Sequence, residues 1–415
     1  MVILNRRYRS LNSRLLKNVS WLALLQFFNY GAPLIVLPLL ARLLSVNEFG
    51  AFSSAMATTA LALVITDYGF GLSATLRISQ NREDKEYLQS IINKVISAKV
   101  LLLFLGSTFI FFVANLSEFQ NYKMIFVIGI FSLAFQTFHC AWFYQGLERM
   151  KFYVLYMAIT KILYVLLIII VFYQFRSPLI AMSCWAFSNL IGMLISLRLI
   201  HKFGYVIRFC SARSLINELK YSSEFFYSRI ALAIYSTACT VVLGANSLHQ
   251  AALYSAAENA LKAGQALTSA MAQALLPFMA KEKDWPQFRM MIMRGFFAIF
   301  CLATLAIYFS SELIHLGFGD EYGDATQVLE MMMLIFIINF LNVAFGYPVF
   351  SALGEVHVAN KTMIFGCAIF CLLLAITVYL GVVSAVTMAL LYLATELLIT
   401  ISRVVIFLQK IRFAR

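Results

Sequence analysis

The sequence is short of charge: Asp, Glu, Lys and Arg together make up 12% of its 415 residues, about half the share found in soluble domains. With 62% hydrophobic residues and a mean hydropathy of +0.84, the chain cannot furnish a water-facing surface. That excludes most cytosolic enzymes and any disordered or collagen-like chain, and it points to a polytopic protein of the bilayer. Catalytic signatures are missing too. There is no phosphate-cradling P-loop, no metal-ligand cluster and no G-x-S-x-G elbow, so no cofactor or metal is expected and the chain does not read as an enzyme. Cysteine chemistry has little support: the seven cysteines are odd in number, and Cys140, Cys184, Cys239, Cys301, Cys367 and Cys371 fall inside apolar runs. Cys367 and Cys371 share a helical face, but no His or carboxylate joins them. No small-residue cleavage site follows Arg6, Arg7, Arg9, Arg14 and Lys17, so the first apolar stretch reads as an uncleaved span.

Long apolar runs are what the chain has instead. A helix crossing ~30 Å of hydrocarbon needs about 20 residues, and twelve such runs are expected, at 18–40, 49–72, 95–115, 123–143, 152–173, 179–200, 222–244, 251–276, 290–310, 326–350, 358–379 and 383–407. The formal charge of +13 then acquires a location. With both termini inside, almost every Lys and Arg outside the spans is cytoplasmic, and the opposite face keeps only Arg42, Lys123 and Arg176. The positive balance therefore reports orientation and not a nucleic-acid partner. The stretch 206–221, with Val206, Ile207, Phe209, Leu215, Ile216 and Leu219 among Arg208, Arg213 and Lys220, is expected to form a basic amphipathic linker on the inner leaflet. It divides an N-terminal lobe, 1–205, from a C-terminal lobe, 222–415. Two echoes relate the halves: Ser45–Ser53 aligns with Ser247–Ser255, and Gly146-Leu147-Glu148 with Leu353-Gly354-Glu355. The expected fold is all-α, about twelve transmembrane helices in two six-helix lobes with a pseudo-two-fold axis along the membrane normal.

Ionisable groups inside spans are costly in hydrocarbon and should face a partner or a watery cavity. Lys161 and Lys262 fall near the midplane, Arg229 about two turns inside span 7, and Lys99 close enough to its own end to snorkel. Lys262 follows Glu258 by four residues, so an intrahelical ion pair competes with the reading of a cationic cavity wall for an anionic headgroup. Arg229 and Lys161 have no partner within four residues and join that wall as candidates. Glu396 suits either proton exchange or an ion pair with a lysine on another helix, and Asp67 sits near the inner end of span 2 beside Gly69 and Gly71, which suit close packing or a helix end. Gln26 and Asn29 share a face of span 1, and Pro33 and Pro38 interrupt it farther along, as a gating helix or an ordinary kink would. His139 reads as a satisfied buried group.

Three stretches carry a family resemblance: Leu34-Ile35-Val36-Leu37-Pro38-Leu39-Leu40-Ala41-Arg42-Leu43-Leu44-Ser45-Val46-Asn47-Glu48-Phe49-Gly50, then Asp67-Tyr68-Gly69-Phe70-Gly71-Leu72-Ser73-Ala74-Thr75, then Tyr144-Gln145-Gly146-Leu147-Glu148-Arg149-Met150-Lys151. They resemble the polysaccharide flippases of bacterial inner membranes, most closely the O-antigen (Wzx-type) branch of the multidrug/oligosaccharidyl-lipid/polysaccharide exporter superfamily. The resemblance implies a V-shaped bundle that moves an undecaprenyl-pyrophosphate-linked oligosaccharide from the cytoplasmic to the periplasmic leaflet. It implies a cavity lined by spans 1, 2, 7 and 8, where Arg229 and Lys262 fall. Its partners would be the lipid-linked oligosaccharide, membrane lipids and other polysaccharide-assembly membrane proteins. The related peptidoglycan-precursor flippases place arginines in span 1, and this chain has none between Ser20 and Ala41. A drug/cation antiporter of the same superfamily would share the architecture but should have an acidic cavity. A membrane-embedded glycan polymerase or ligase would need a large outer loop with catalytic Arg or His, whereas the longest outer loop here is acidic, with Glu312, Asp320, Glu321 and Asp324.

Overall fold

A computed structural model describes residues 2–413, with side chains from Trp21 to Lys410 except Leu22, Ala23, Ser228, Ala274 and Pro277. The N-terminal and C-terminal bases used in the orientation argument, Arg6 to Lys17, Arg412 and Arg415, lie outside the described side chains. The fold is all-α. Its helices are α1 (Val2–Leu43), α2 (Val46–Asp67), α3 (Phe70–Gln80), α4 (Lys85–Ala114), α5 (Lys123–Thr137), α6 (Ala141–Gly146), α7 (Met150–Leu167), α8 (Tyr173–Phe175), α9 (Pro178–Lys202), α10 (Ala212–Asn246), α11 (Leu248–Glu282), α12 (Trp285–Tyr308), α13 (Ser310–Phe318), α14 (Ala325–Ala344), α15 (Tyr347–Ala352), α16 (Val356–Tyr379) and α17 (Ala385–Phe413). A π-helical turn, Ile168–Phe172, runs α7 on into α8.

Among the described residues eleven segments are long and apolar enough to cross a membrane. The run expected at 251–276 is a 35-residue helix, α11, but is too polar to qualify. Large apolar side chains such as Phe27, Phe104, Phe112 and Phe297 are exposed on the others, as a lipid-facing surface requires. Between helices in lipid, association depends on close packing more than on apolar burial. Accordingly α2 presents small residues: Gly50, Ala51, Ser53, Ser54, Ala55, Thr58, Thr59 and Ala62 are all buried. The hydroxyls of Ser54, Thr58 and Thr59 donate to carbonyls one turn back, at 2.7–2.8 Å, so the helix satisfies them itself.

The chain packs as two units. One contains the residues up to Pro33 with Ala62–Ala114 and Met124–Phe226; the other contains Leu34–Leu61, Asn115–Lys123 and the chain from Tyr227 onward. The first is built round an aromatic core that includes Phe70, Trp142, Phe143, Tyr144 and Tyr156. The packing units differ from the sequential halves, because α1, α2 and α10 each contribute to both.

The 206–221 stretch is part coil and part helix. Residues 205–211 form no helix, and Ala212 already begins α10, so there is no separate amphipathic helix. Two forces pull this segment inward. Gln89 and Asn93 of α4 hydrogen-bond the backbone at Val206 and Arg208, and Leu215 and Leu219 pack on the first unit's core. Arg77 then forms an ion pair with Glu218.

Both sequence echoes have structural counterparts. Ser45 caps α2 in a reciprocal box, its N–H donating to Glu48 Oε2 at 3.0 Å, and Ser247 caps α11 by accepting from the Gln250 N–H at 3.4 Å. The second echo is shifted by one residue. The fourth span of each half breaks before a six-residue helix, α6 or α15, and each of these ends at a left-handed residue, Glu148 (φ 55°) or Gly354 (φ 76°). The Arg149 N–H returns to Tyr144 O at 2.8 Å, and the Glu355 N–H to Phe350 O at 2.7 Å. Gly146 thus matches Ala352, and the turn residue is two places on.

Candidate functional site

Helix α11 has two faces. At 100° per residue, Ala256, Ala260, Ala263, Gly264 and Leu267 fall within one sector and line an apolar groove of about 390 Å³ with Leu302 and Phe336. Glu258, Lys262 and Gln265 point the opposite way. Lys262 Nζ lies 2.9 Å from Glu258 Oε1, so the intrahelical ion pair is formed. The Glu258 side chain is buried and accepts a further bond from Thr240 Oγ1 at 3.4 Å, while Lys262 is half exposed. A lysine ammonium has three N–H groups, so the pair leaves donors for an anionic oxygen.

Arg229, on α10, is exposed and within electrostatic reach of Tyr347. Counting about 1.5 Å per residue from the turn between Asn246 and Leu248 sets Lys262 about 20 Å and Arg229 about 25 Å along their helices. Lys161 belongs to the other unit. It is partly buried on α7, with His139 near it and no ion pair or hydrogen bond among the described residues. His139 Nε2 lies 3.0 Å from Asn189 O, in line with a satisfied buried group. Gln26 and Asn29 are partly exposed on α1, which runs unbroken through Pro33 and Pro38.

Two expectations need correction. Lys99 does not snorkel: it is buried, lies 3.6 Å from Asp67 Oδ1 and donates to Thr137 O at 3.0 Å. Thr137 ends α5 and Asp67 ends α2, so one ammonium sits against a carboxylate and the negative ends of two helices. Beyond Asp67, Tyr68 (φ 42°) and Gly69 (φ 78°) are left-handed, and the helix restarts at Phe70. A Cβ at Gly69 would lie 2.8 Å from Phe225 Cβ, so this break needs both the turn and the close approach that glycine allows. Of the two readings of Glu396, the lysine ion pair is not formed among the described residues. Glu396 accepts from the Asn342 amide, from Asn339 Nδ2 at 3.3 Å and from Tyr235 OH at 3.4 Å, and its counter-charge is Arg403, whose Nη1 donates to the same Asn342's side-chain oxygen. Arg403 also donates to Asn342 O at 2.7 Å, Ala359 O at 3.0 Å and Thr362 Oγ1 at 3.1 Å. Two further bonds, Thr268 to Asn339 and Gln265 to Tyr392, both 3.3 Å, tie this network to α11 within two turns beyond Lys262.

Among the described residues no group of three or more His, Cys, Asp or Glu could hold a metal ion. The family model described as "Polysaccharide biosynthesis protein" matches residues 15–283, well over half the chain. The chain belongs to this family. A protein of Shigella dysenteriae named "Putative O-antigen transporter" is 28% identical over 330 residues, covering 77% of this chain and 82% of its relative. One of the same name from Escherichia coli (strain K12) is 26% identical over 398 residues, 92% and 94% of the two chains. The solved lipid II flippase MurJ, in an inward closed conformation, superimposes with a TM-score of 0.74 over 91% of this chain and 85% of that one, at 14% identity. That likeness is one of fold.

In this member of the polysaccharide biosynthesis protein family, the sequence reading missed Arg403, Asn339 and Asn342. Arg403 lies within the last apolar run, seven residues after Glu396 and hence on its face. That spacing was the available signal. The asparagines come from another helix and left none.

Proposed function

We propose that this chain is a flippase that carries an undecaprenyl-pyrophosphate-linked oligosaccharide, an O-antigen repeat, from the cytoplasmic to the periplasmic leaflet of a bacterial inner membrane by alternating access. The observation that carries the reading is the polar face of α11, where a half-exposed Lys262 stands beside the buried carboxylate of Glu258. The names of the two curated relatives support the substrate class.

In this reading Lys262 and Arg229 hold the pyrophosphate, Lys262 with its remaining N–H groups and Arg229 with the two-pronged grip of guanidinium. Lys161 adds positive potential from the first lobe. Glu258, Glu396 and Asp67 act in coupling or in balancing the bases, Gln26 and Asn29 line the path, and Pro33 and Pro38 let α1 bend. The apolar groove on the far side of α11 suits a hydrocarbon chain. The lobes are 1–205 and 222–415 with 206–221 as linker, and both termini are cytoplasmic.

Deleting the gene should abolish surface glycan while the lipid-linked repeat still accumulates in the membrane. Normal surface polymer in a strain lacking every paralogous flippase would overturn the reading. So would a failure to build the repeat, which would point to an enzyme, or a loss of resistance to cationic drugs on deletion with glycan unchanged, which would point to an antiporter.

A further inference from the structure

We propose that Glu258 is a built-in rival of the anionic headgroup: its carboxylate holds the Lys262 ammonium, and a headgroup binds by drawing Lys262 away while Tyr254 takes the lysine's place beside the carboxylate. The inference rests on the reading of Lys262 as a headgroup ligand and adds what that lysine must leave. Every residue concerned lies in the second packed unit.

Tyr254, Glu258 and Lys262 follow one another at intervals of four along α11, so they form a row on one face with about 5–6 Å between successive Cβ atoms. Exposure rises along the row. Tyr254 is fully buried, Glu258 is buried, and the Lys262 side chain is half exposed. The first two are therefore fixed, whereas the lysine has a flexible four-carbon stem and can swing its tip without any shift of the helix.

The bonding is lopsided in the same way. Glu258 Oε1 holds Lys262 at 2.9 Å, while Oε2 accepts a long bond from Thr240 Oγ1 at 3.4 Å. If Lys262 left, the buried carboxylate would lose its counter-charge and its short bond, a loss that opposes the move unless another donor stands ready. One does. Tyr254 OH is buried with no hydrogen-bond partner among the described residues, and the Glu258 carboxylate lies within its electrostatic reach, together with the weakly bonding Cys239 thiol. A buried hydroxyl left idle needs a reason, and service to Glu258 once Lys262 has gone supplies it.

The other buried carboxylate of this unit gives the contrast. Glu396 is balanced by Arg403, which is itself buried and bound to Asn342, Ala359 and Thr362, so neither charge is free to change partner. An exchange at Glu258 lowers apparent affinity by the share of time in which Lys262 is free. A carrier gains from this, because a headgroup gripped by an uncontested lysine would be slow to leave.

The test takes farnesyl pyrophosphate as its probe, with farnesol as the control for the tail. In nanodiscs, Glu258→Gln should bind farnesyl pyrophosphate about 10-fold more tightly than the wild type, with farnesol unchanged. The gain should vanish when Lys262→Ala is added. Tyr254→Phe should weaken farnesyl pyrophosphate binding about 3-fold. It should change nothing in the Glu258→Gln background, a coupling that a packing defect would not reproduce. Unchanged or weaker binding by folded Glu258→Gln overturns the proposal. If that variant does not fold, Tyr254→Phe decides it, and unchanged binding there overturns it too. In cells, Glu258→Gln should export less surface glycan than the wild type despite its tighter grip, and undiminished export also overturns the exchange. If binding responds as expected but export never depended on this protein, the flippase reading fails and the exchange stands. If export requires Lys262 but Glu258→Gln binds no more tightly, the exchange fails and the flippase reading stands.

Discussion

Arg403 is 3% exposed and makes contacts with Asn342, Ala359 and Thr362 that use both faces of its guanidinium fork. Its counter-charge, Glu396, is reached through the Asn342 side chain, and removing one of two buried opposite charges strands the other, at a cost of about 3–5 kcal/mol. Arg403→Leu should therefore lower the apparent Tm of the purified protein markedly, and Arg403→Lys should recover only part of the loss because a point charge cannot serve three separated acceptors. Adding Glu396→Gln to Arg403→Leu should restore much of it. Thermal unfolding in detergent gives the comparison, and a double variant no more stable than Arg403→Leu alone would mean that the two charges are uncoupled. The pairing was partly legible, since seven residues are two helical turns. Its bridge was not: Asn342 lies 54 residues before Glu396 on α14, and one-dimensional spacing carries no information across helices. Lys99 was misread for a related reason. Depth within a span suggested snorkelling, but the nearest acceptor, Thr137 O, exists only because α5 stops there.

At the scale of the element, α11 puts a formed ion pair and a candidate ligand on one residue, and a two-step substitution separates them. Lys262→Ala should cut glycan export at least 10-fold at matched membrane abundance. If Lys262 is a headgroup ligand, Lys262→Ala/Glu258→Ala should be as inactive as Lys262→Ala. If it only neutralises Glu258, the double variant should export normally, and Lys262 would leave the site. Element existence was readable from hydropathy because twenty apolar residues in a row admit few alternatives in lipid. The breaks were less so. Asp67-Tyr68-Gly69 offered glycine as a cue for the end of α2, whereas the break between α5 and α6 passes through His139 and Cys140, which carry no helix-stop signal. The helical start of α10 was read as a linker because Leu215 and Leu219 look like a membrane-facing stripe until the core they pack on is known.

At the scale of the whole molecule, loops meet in pairs inside each unit: Arg82 meets Glu148 in the first, and in the second Lys410 meets Glu355, Arg42 meets the carbonyls after Ile314, and Gln250 accepts from the Ala385 N–H. Orientation is a separate matter for fusions: a periplasmic phosphatase joined after residue 415 or within 201–221 should be inactive, and activity at either place would sink the cytoplasmic assignment. Alternation of spans was legible because charge and apolar length are local properties. The grouping of Leu34–Leu61 with the second unit was not, since it rests on contacts between residues far apart in the sequence and not on any period in it. The polarity of α11 also bears on how the protein is made. A nascent segment partitions from the translocation channel into lipid according to its own apolarity, and among its described residues α11, which carries Glu258, Asn259, Lys262 and Gln265, has no stretch long and apolar enough to count as a span. It must enter the bilayer in company, shielded by α10 before it and by α12 and α14 after it. A ribosome halted at the end of α11 would therefore hold a chain whose last helix has not yet settled in the membrane.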